Sequence, residues 1–317
     1  MSTIIETATV DDRRAILEAA ARRPWFGAPT RAYPPDILGR VLVDALSARI
    51  DGLLDHDHVD LLVHRHDGLR GWAIVQHDVE EMVTGMTISM VRDPSWVTPP
   101  LLEEAARRAT VRGSARLGID VHVDDDVEAA AACDAGLTPE YHRIVCDLER
   151  APAAVTSPVR VRPAREEDRL FLVALSTECV PFMFCASRQH EIEQVRRRFF
   201  DVYAFADLEG DDDELRVWVA WVDEAPAGAV QVRPRAGVTA DGREEAYIFD
   251  ISVSPQHWGG RVAVALIDHV IQEMRARGIK YLTGDISVDN ARVQGLSQRF
   301  AFSPEHARWF RALGGPP

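Results

Sequence analysis

Long apolar runs are missing from this 317-residue chain. No stretch of roughly eighteen consecutive apolar residues occurs, which argues against a membrane-spanning helix. The opening Met-Ser-Thr-Ile-Ile-Glu-Thr lacks the basic-then-apolar layout of a secretory signal. Cysteine is scarce. Cys133, Cys146, Cys179 and Cys185 have neither disulfide nor metal-site spacing, which fits a reducing cytoplasm. They read as buried apolar residues, although Cys179 and Cys185 also flank a Phe-Met-Phe loop and are placed to line a pocket. Positive charge is short as well: 36 Lys and Arg against 50 Asp and Glu leave a net charge of −14. That balance argues against nonspecific binding to DNA, RNA or an anionic membrane. It is compatible with a cationic amine, and it is also what many soluble bacterial proteins carry. Few lysines among many alanines and arginines match a high-GC bacterial source.

What is present is ordinary globular material. Hydrophobic content of 46% and charged content of 27% are typical of a soluble protein, and the length allows two domains with their own cores. Ala151-Pro-Ala-Ala-Val-Thr-Ser-Pro158 has no apolar periodicity and reads as a linker. Asp55, His56, Asp57, His58 and Asp60, with His64 and His66 nearby, are metal-ligating residue types. They fall in an expected loop and on a strand beside a His-Asp-Gly turn, where solvated polar side chains are usual, so no metal is expected. Asp124–Asp126 reads as a helix N-cap, and Asp211–Glu214 as a solvated loop.

The most informative stretch is Asp250-Ile-Ser-Val-Ser-Pro-Gln-His-Trp-Gly-Gly-Arg-Val-Ala-Val-Ala-Leu266. Its pattern predicts a strand that stops at Pro255, a glycine-bearing turn, and a helix. A turn of that kind aims unpaired N–H groups outward at the positive end of a helix dipole and so binds phosphate or pyrophosphate. Gly259 and Gly260 carry no Cβ to obstruct an anion. The spacing is neither the dinucleotide fingerprint nor a Walker loop. Strict alternation puts Tyr247, Phe249, Ile251 and Val253 on one strand face and Ile248, Asp250 and Ser252 on the other. An acid beside an anion loop is a candidate general base; the alternative is a solvated Asp on an open sheet face.

On these residues, 247–302 resembles the central portion of the GNAT acyltransferase superfamily, which uses acyl-coenzyme A. The family's loop, Arg/Gln-x-x-Gly-x-Gly/Ala, corresponds to Trp258, Gly259, Gly260, Arg261, Val262 and Ala263. Arg261 stands where the family has its internal glycine, and its guanidinium either hinders a pyrophosphate or pairs with it; pairing is the reading taken. Downstream come an apolar helix stopped by Gly278, a strand from Lys280 to Val288, and a second helix ending near Arg299. The family closes with an Asn, a helix carrying a Tyr, and Gly-Phe; here stand Asn290, Ser297 and Ala301-Phe302. That Tyr commonly serves as general acid, and Ser297, with its higher pKa, donates less readily. Upstream, Val159–Asp168 reads as a first strand running into an acidic helix start. Leu215–Val222 and Gly228–Val232 read as a hairpin around Asp223-Glu-Ala-Pro-Ala227. The resemblance thus covers 159–317.

The first half repeats the second. Thr7–Arg13 lines up with Pro163–Arg169, and Val63, Asp67 and Gly71 with Val219, Asp223 and Gly228. Val91 and Trp96 match Val253 and Trp258, Leu117–Asp124 matches Leu282–Asp289, and Gly136-Leu137 matches Ala301-Phe302. The offset grows only from 156 to 165, as small loop insertions would make it. Where the second copy has its glycines, the first has Trp96-Val-Thr-Pro-Pro-Leu101, whose prolines remove two N–H donors. The first copy is therefore expected to scaffold, dimerise or shape the substrate cleft.

The resemblance implies an α/β (α+β) fold of two GNAT-like domains, each a central mixed, mostly antiparallel sheet flanked by helices. The expected division is 1–150 for a degenerate copy, 151–158 for the linker and 159–317 for the acyltransferase domain. It implies a cytoplasmic N-acyltransferase that takes an acyl group, acetyl first, from acyl-CoA to a primary amine of a small molecule. Ile251, Ser252 and Val253 would meet the pantetheine as an added strand, residues 258–263 the pyrophosphate, and Asn290 the cofactor near its pantetheine or thioester end. Asp250, directly or through a water, is the expected base, with Asp285 in reserve because Asp120 repeats it in the copy without the loop. Phe182, Met183, Phe184, Tyr203 and Trp218 are candidate walls of the acceptor site. Two rivals stay open: an aminoacyl-tRNA donor, with Arg188, Arg196, Arg197 and Arg198 as a basic strip, and a catalytically silent ligand-binding protein.

Overall fold

Val217-Trp-Val-Ala-Trp221 is a run of strong strand formers, and it is followed by Asp223 and Glu224, both at positive φ (46° and 65°). Two left-handed residues in succession make the two-residue turn whose twist matches that of a hairpin. The turn is therefore tighter than the five-residue stretch expected, and it joins β8 (Arg216–Val222) to β9 (Ala225–Val238). In the computed structural model of the protein, residues 4–22, 44, 46–48, 50, 52–54, 56–81, 84–152, 157–205, 208, 215–238 and 244–314 are described. Asp55, Asp211–Glu214 and the middle of the linker, 153–156, lie outside them.

The chain forms two compact units, Met1–Glu140 with Glu305–Pro317, and Tyr141–Pro304. The expected division at 151–158 follows the sequence repeat. The units divide elsewhere, because the last strand of each half is hydrogen-bonded within the other unit. In unit 1 the strand order is β1 (Ile4–Thr7), β2 (Val59–Arg65), β3 (Leu69–Glu80), β4 (Thr87–Trp96), β5 (Arg116–His122) and β12 (Ser303–Ala312). In unit 2 it is β7 (Arg160–Pro163), β8, β9, β10 (Glu244–Val253), β11 (Tyr281–Ser287) and β6 (Thr138–Asp147). Within each unit the strand pairings are antiparallel except for one parallel pair, β4 with β5 and β10 with β11. Parallel neighbours need a crossover, and helices supply it.

Helices α1 (Arg13–Arg22), α2 (Pro99–Val111) and α3 (Asp126–Asp134) belong to unit 1. Helices α4 (Arg169–Cys179), α5 (Ile192–Phe205), α6 (Val262–Ala276) and α7 (Ala291–Arg299) belong to unit 2. The α2 and α6 crossovers occupy equivalent places, so the two units repeat one plan. In unit 2, α6 buries Val262, Leu266, Val270, Ile271 and Met274 against Val230, Val232, Ala246, Leu282 and Ile286. Gly278, at φ +75°, ends that helix region, as its spacing predicts.

The alternation expected along β10 fails. The register of β10 with β9 shifts twice, between Glu245 and Tyr247 and between Ile248 and Asp250; the second shift leaves Phe249 as an extra residue. A bulge of this kind reverses side-chain parity beyond it. Ile248, Ile251 and Val253 accordingly all pack on the α6 side, while Asp250 and Ser252 turn to the face covered by Cys179 of α4 and Tyr203 of α5.

Candidate functional site

Strands β10 and β11 are paired from Glu245↔Tyr281 to Ile248↔Gly284 and no farther, although β10 runs on to Val253 and β11 to Ser287. The parallel pair therefore opens into a cleft whose apex lies at Ile248 and Gly284. Its β10 wall is an unpaired strand edge. The Ser254 N–H donates to the Ala227 carbonyl across the β9 side (3.0 Å). In an antiparallel ladder that assigns Ser252 and Asp250 to β9 as well, and turns the N–H and C=O groups of Ile251 and Val253 into the cleft. Of the three residues expected to meet an extended arm, Ser252 thus has its main chain committed to β9. The Val253 carbonyl also has a partner, the Trp258 indole Nε1–H (2.7 Å).

At the mouth of the cleft lies the turn. Pro255–His257 forms a short 3-10 turn, after which the Trp258 N–H donates to Pro255 and the Gly260 N–H to His257, both at 3.2 Å. Gly259 sits at φ +75°, where an L side chain is strained, and a Cβ on Gly260 would lie 3.0 Å from the His257 carbonyl. Both glycines are needed for this turn. From there α6 starts at Val262, and its first intrahelical bond runs from Ala265 to Arg261. Among the described residues no partner falls to the amides of Gly259, Arg261, Val262, Ala263 and Val264. Arg261 is exposed and has no ion pair among the described residues.

Asp250 stands just past the apex on the opposite face. Its carboxylate accepts from the Tyr203 hydroxyl (2.9 Å) and from Ser252 Oγ (3.1 and 3.2 Å to its two oxygens). Burial pushes the carboxyl up to about 6, with the Tyr203 and Ser252 hydroxyls and the Ile251 amide holding it down. Burial, followed by the neighbouring Asp250 charge, pushes Tyr203 well above its ordinary range. This Asp is buried, so the solvated reading of it does not hold. Across the cleft, Asp285 is the first β11 residue past the apex. It accepts from the Tyr247 hydroxyl (3.2 Å) and lies 3.9 Å from the Arg143 guanidinium of β6. Its counterpart Asp120 pairs with Arg308 at 2.7 Å.

The remaining sequence candidates have structural duties. Asn290 caps α7, its Oδ1 accepting from the Val293 N–H (3.2 Å) while its Nδ2 donates to the Phe182 carbonyl (3.1 Å). Ser297 donates to the Gln294 carbonyl of its own helix (2.8 Å). Trp218 belongs to the core and Phe184 is buried, whereas Phe182 is 50% exposed and meets the Trp258 ring edge-on at 4.8 Å. Arg188 is buried, with Glu191, Tyr141 and Phe184 around it, and so is no part of a surface basic strip. The Tyr203–Asp250 pair was missed as a unit, because 47 residues separate its members. In unit 1 the equivalent helix α2 opens with Pro99 and Pro100, and the preceding Val97 is buried. No group of His, Cys, Asp or Glu side chains among the described residues is arranged to hold a metal.

Residues 181–302, which span the apex, the turn and α7, match the model of the acetyltransferase (GNAT) family. In these residues the chain is similar to a GNAT acetyltransferase domain. Among solved structures, it is similar to a GCN5-related N-acetyltransferase from Sphaerobacter thermophilus, 13% identical over 99% of this chain and 96% of that one, with a TM-score of 0.53. A GCN5-related N-acetyltransferase from Kribbella flavida is 12% identical over 86% of this chain and 95% of that one (TM-score 0.50). A tandem GNAT protein from the clavulanic acid biosynthesis pathway is 17% identical over the full length of both (TM-score 0.44). At such identities the likeness is one of fold. A search of the curated proteins finds no match. The matched segment contains the turn, the start of α6, the β10–β11 cleft and Asp250. No helix among the described residues is long and apolar enough to cross a membrane.

Proposed function

We propose that the protein is an acyl-CoA-dependent N-acyltransferase, with acetyl-CoA as donor, that acylates a primary amine of a small molecule by direct attack on the thioester. One observation carries this reading: five amides in the turn and at the start of α6, without a partner among the described residues, stand on the same strand–turn–helix segment as an unpaired strand edge and a buried carboxyl held near 6. Amides at a helix N-terminus, with Arg261 beside them, suit a diphosphate. From Val253 back to Phe249 the strand offers about 13 Å of edge, along which the Ile251 carbonyl and the Val253 N–H remain for an amide-bearing arm. A thioester at the end of that arm lies at the apex, beside Asp250 and Asp285.

Asp250 is the base in this reading. A carboxyl near 6 is largely ionised at neutral pH and remains basic enough to take a proton from the acceptor ammonium, directly or through a water. The neutral amine then forms the C–N bond as the C–S bond breaks; the nitrogen gives up its surplus proton, which solvent carries to the departing thiolate, and the thiol is released. Asp285 is the reserve base. The acid role expected of Ser297 is not carried forward, because its hydroxyl proton is engaged by Gln294.

Calorimetry with acetyl-CoA, followed by thiol release across a panel of primary amines, tests the reading. Micromolar binding that is lost in Gly259→Pro, together with turnover of at least one amine, is the expected result. Failure to bind any acyl-CoA overturns it, and binding without turnover of any amine returns the protein to a silent binder.

A further inference from the structure

We propose that Arg292 is a phosphate-binding side chain of the acyl-carrier site, positioned for it by Trp258. This rests on the acyl-CoA reading and adds a residue outside the loop pattern that first pointed to it. Arg292 is the second residue of α7, two past the Asn290 cap, so it approaches the turn from a different helix. Its guanidinium lies 4.3 Å above the Trp258 ring. The ring belongs to the residue just before Gly259, whose amide is the first of the unpartnered group.

Trp258 is fixed from two other sides, by its Nε1–H bond to the Val253 carbonyl and by the edge-on Phe182 ring. Phe182 is in turn tied to Asn290 through its carbonyl. The indole is thus a rigid platform that holds a flexible cation at the rim of the anion-facing turn. Arg292 is exposed and carries no ion pair among the described residues, whereas Arg143, Arg162, Arg188 and Arg308 are all matched with carboxylates. In a chain of net charge −14, a guanidinium with no carboxylate partner among the described residues, held over the ring of the residue that precedes Gly259, is placed for an anion from outside. The cation–π contact is weak at an exposed site and is readily exchanged for a charge-assisted bond to a phosphate oxygen.

The test measures binding of ADP and of inorganic pyrophosphate to the full chain and to Arg292→Ala and Arg292→Lys, with acetyl-pantetheine as the ligand that lacks the diphosphate. Arg292→Ala is expected to weaken ADP and pyrophosphate about tenfold, Arg292→Lys to recover part of that loss, and acetyl-pantetheine to bind all three proteins alike. Unfolding midpoints of the variants should match the parent, since the side chain is exposed. ADP and pyrophosphate affinities of Arg292→Ala that stay within about twofold of the parent overturn the proposal. An equal loss for acetyl-pantetheine also overturns it, since that marks a general disturbance of the cleft. If the parent binds pyrophosphate through Arg292 but acylates no amine, the acyltransfer reading falls and this assignment stands. If the parent binds neither ADP nor pyrophosphate, both fall.

Discussion

Replacing Asp250 with Asn should stabilise the protein at neutral pH while removing most of its activity. The carboxyl sits near 6 in the folded chain against an ordinary 3.8, chiefly because burial disfavours its charge. The folded state therefore binds that proton about two powers of ten more tightly, and ionising the group costs the fold roughly 3 kcal/mol once the pH is above both values. Below the lower value both states are protonated and the term vanishes. Between the two, the native state holds more protons than the unfolded chain, so stability falls as pH rises from about 4 through about 6 and is then level. Asn keeps the shape and an acceptor for the Tyr203 hydroxyl but has no such term. Its amide N–H groups require Ser252 to turn from donor to acceptor, which offsets part of the gain by about 1 kcal/mol. Urea unfolding of both proteins at pH 4 and pH 7.5 should show the variant's advantage growing by about 2–3 kcal/mol between them. Turnover at pH 7.5 should meanwhile fall roughly 10²–10⁴-fold, the range for loss of a general base. A stability difference that does not change with pH would refute the raised carboxyl, and undiminished turnover would remove Asp250 from the chemistry.

Tyr203→Phe takes away a donor that favours the Asp250 carboxylate, so the acidic limb of the kcat/KM pH profile should move to higher pH; a limb that stays in place breaks the link between that limb and Asp250. Gly259→Ala forces an L residue into φ +75° and should cost about 1 kcal/mol or more of stability, with a matching loss of acetyl-CoA affinity in calorimetry; full affinity would show that the turn is not the diphosphate site. Ser297→Ala should leave kcat unchanged across the pH range, because its hydroxyl serves the Gln294 carbonyl; a basic limb that shifts in this variant would reinstate Ser297 as an acid.

Much of unit 2 was legible because its signals are local. Pro255, the glycine pair and the apolar spacing of 262–274 act within a few residues of themselves, so the strand, the turn and α6 stand where their pattern puts them. Gly278 is local in the same sense. The twofold plan was legible for another reason: in both copies the same order of turn residues and apolar runs recurs, and each unit shows the same strand order and the same parallel pair.

Tertiary structure decided the rest. Alternation along β10 contains no mark of the extra residue at Phe249, because a bulge depends on the register of the neighbouring strand; that bulge is what turns Asp250 away from Ile248 and toward α5. The division into units rests on pairings as distant as Tyr281 with Asp147 and Ala312 with Arg116, and no local preference specifies a partner so far along the chain. The carboxyl near 6, the buried Arg188 and the indole over which Arg292 lies arise from side chains converging from separate elements. Sequence by itself determined which residues could do chemistry here; burial and long-range contact determined which of them are free to do it.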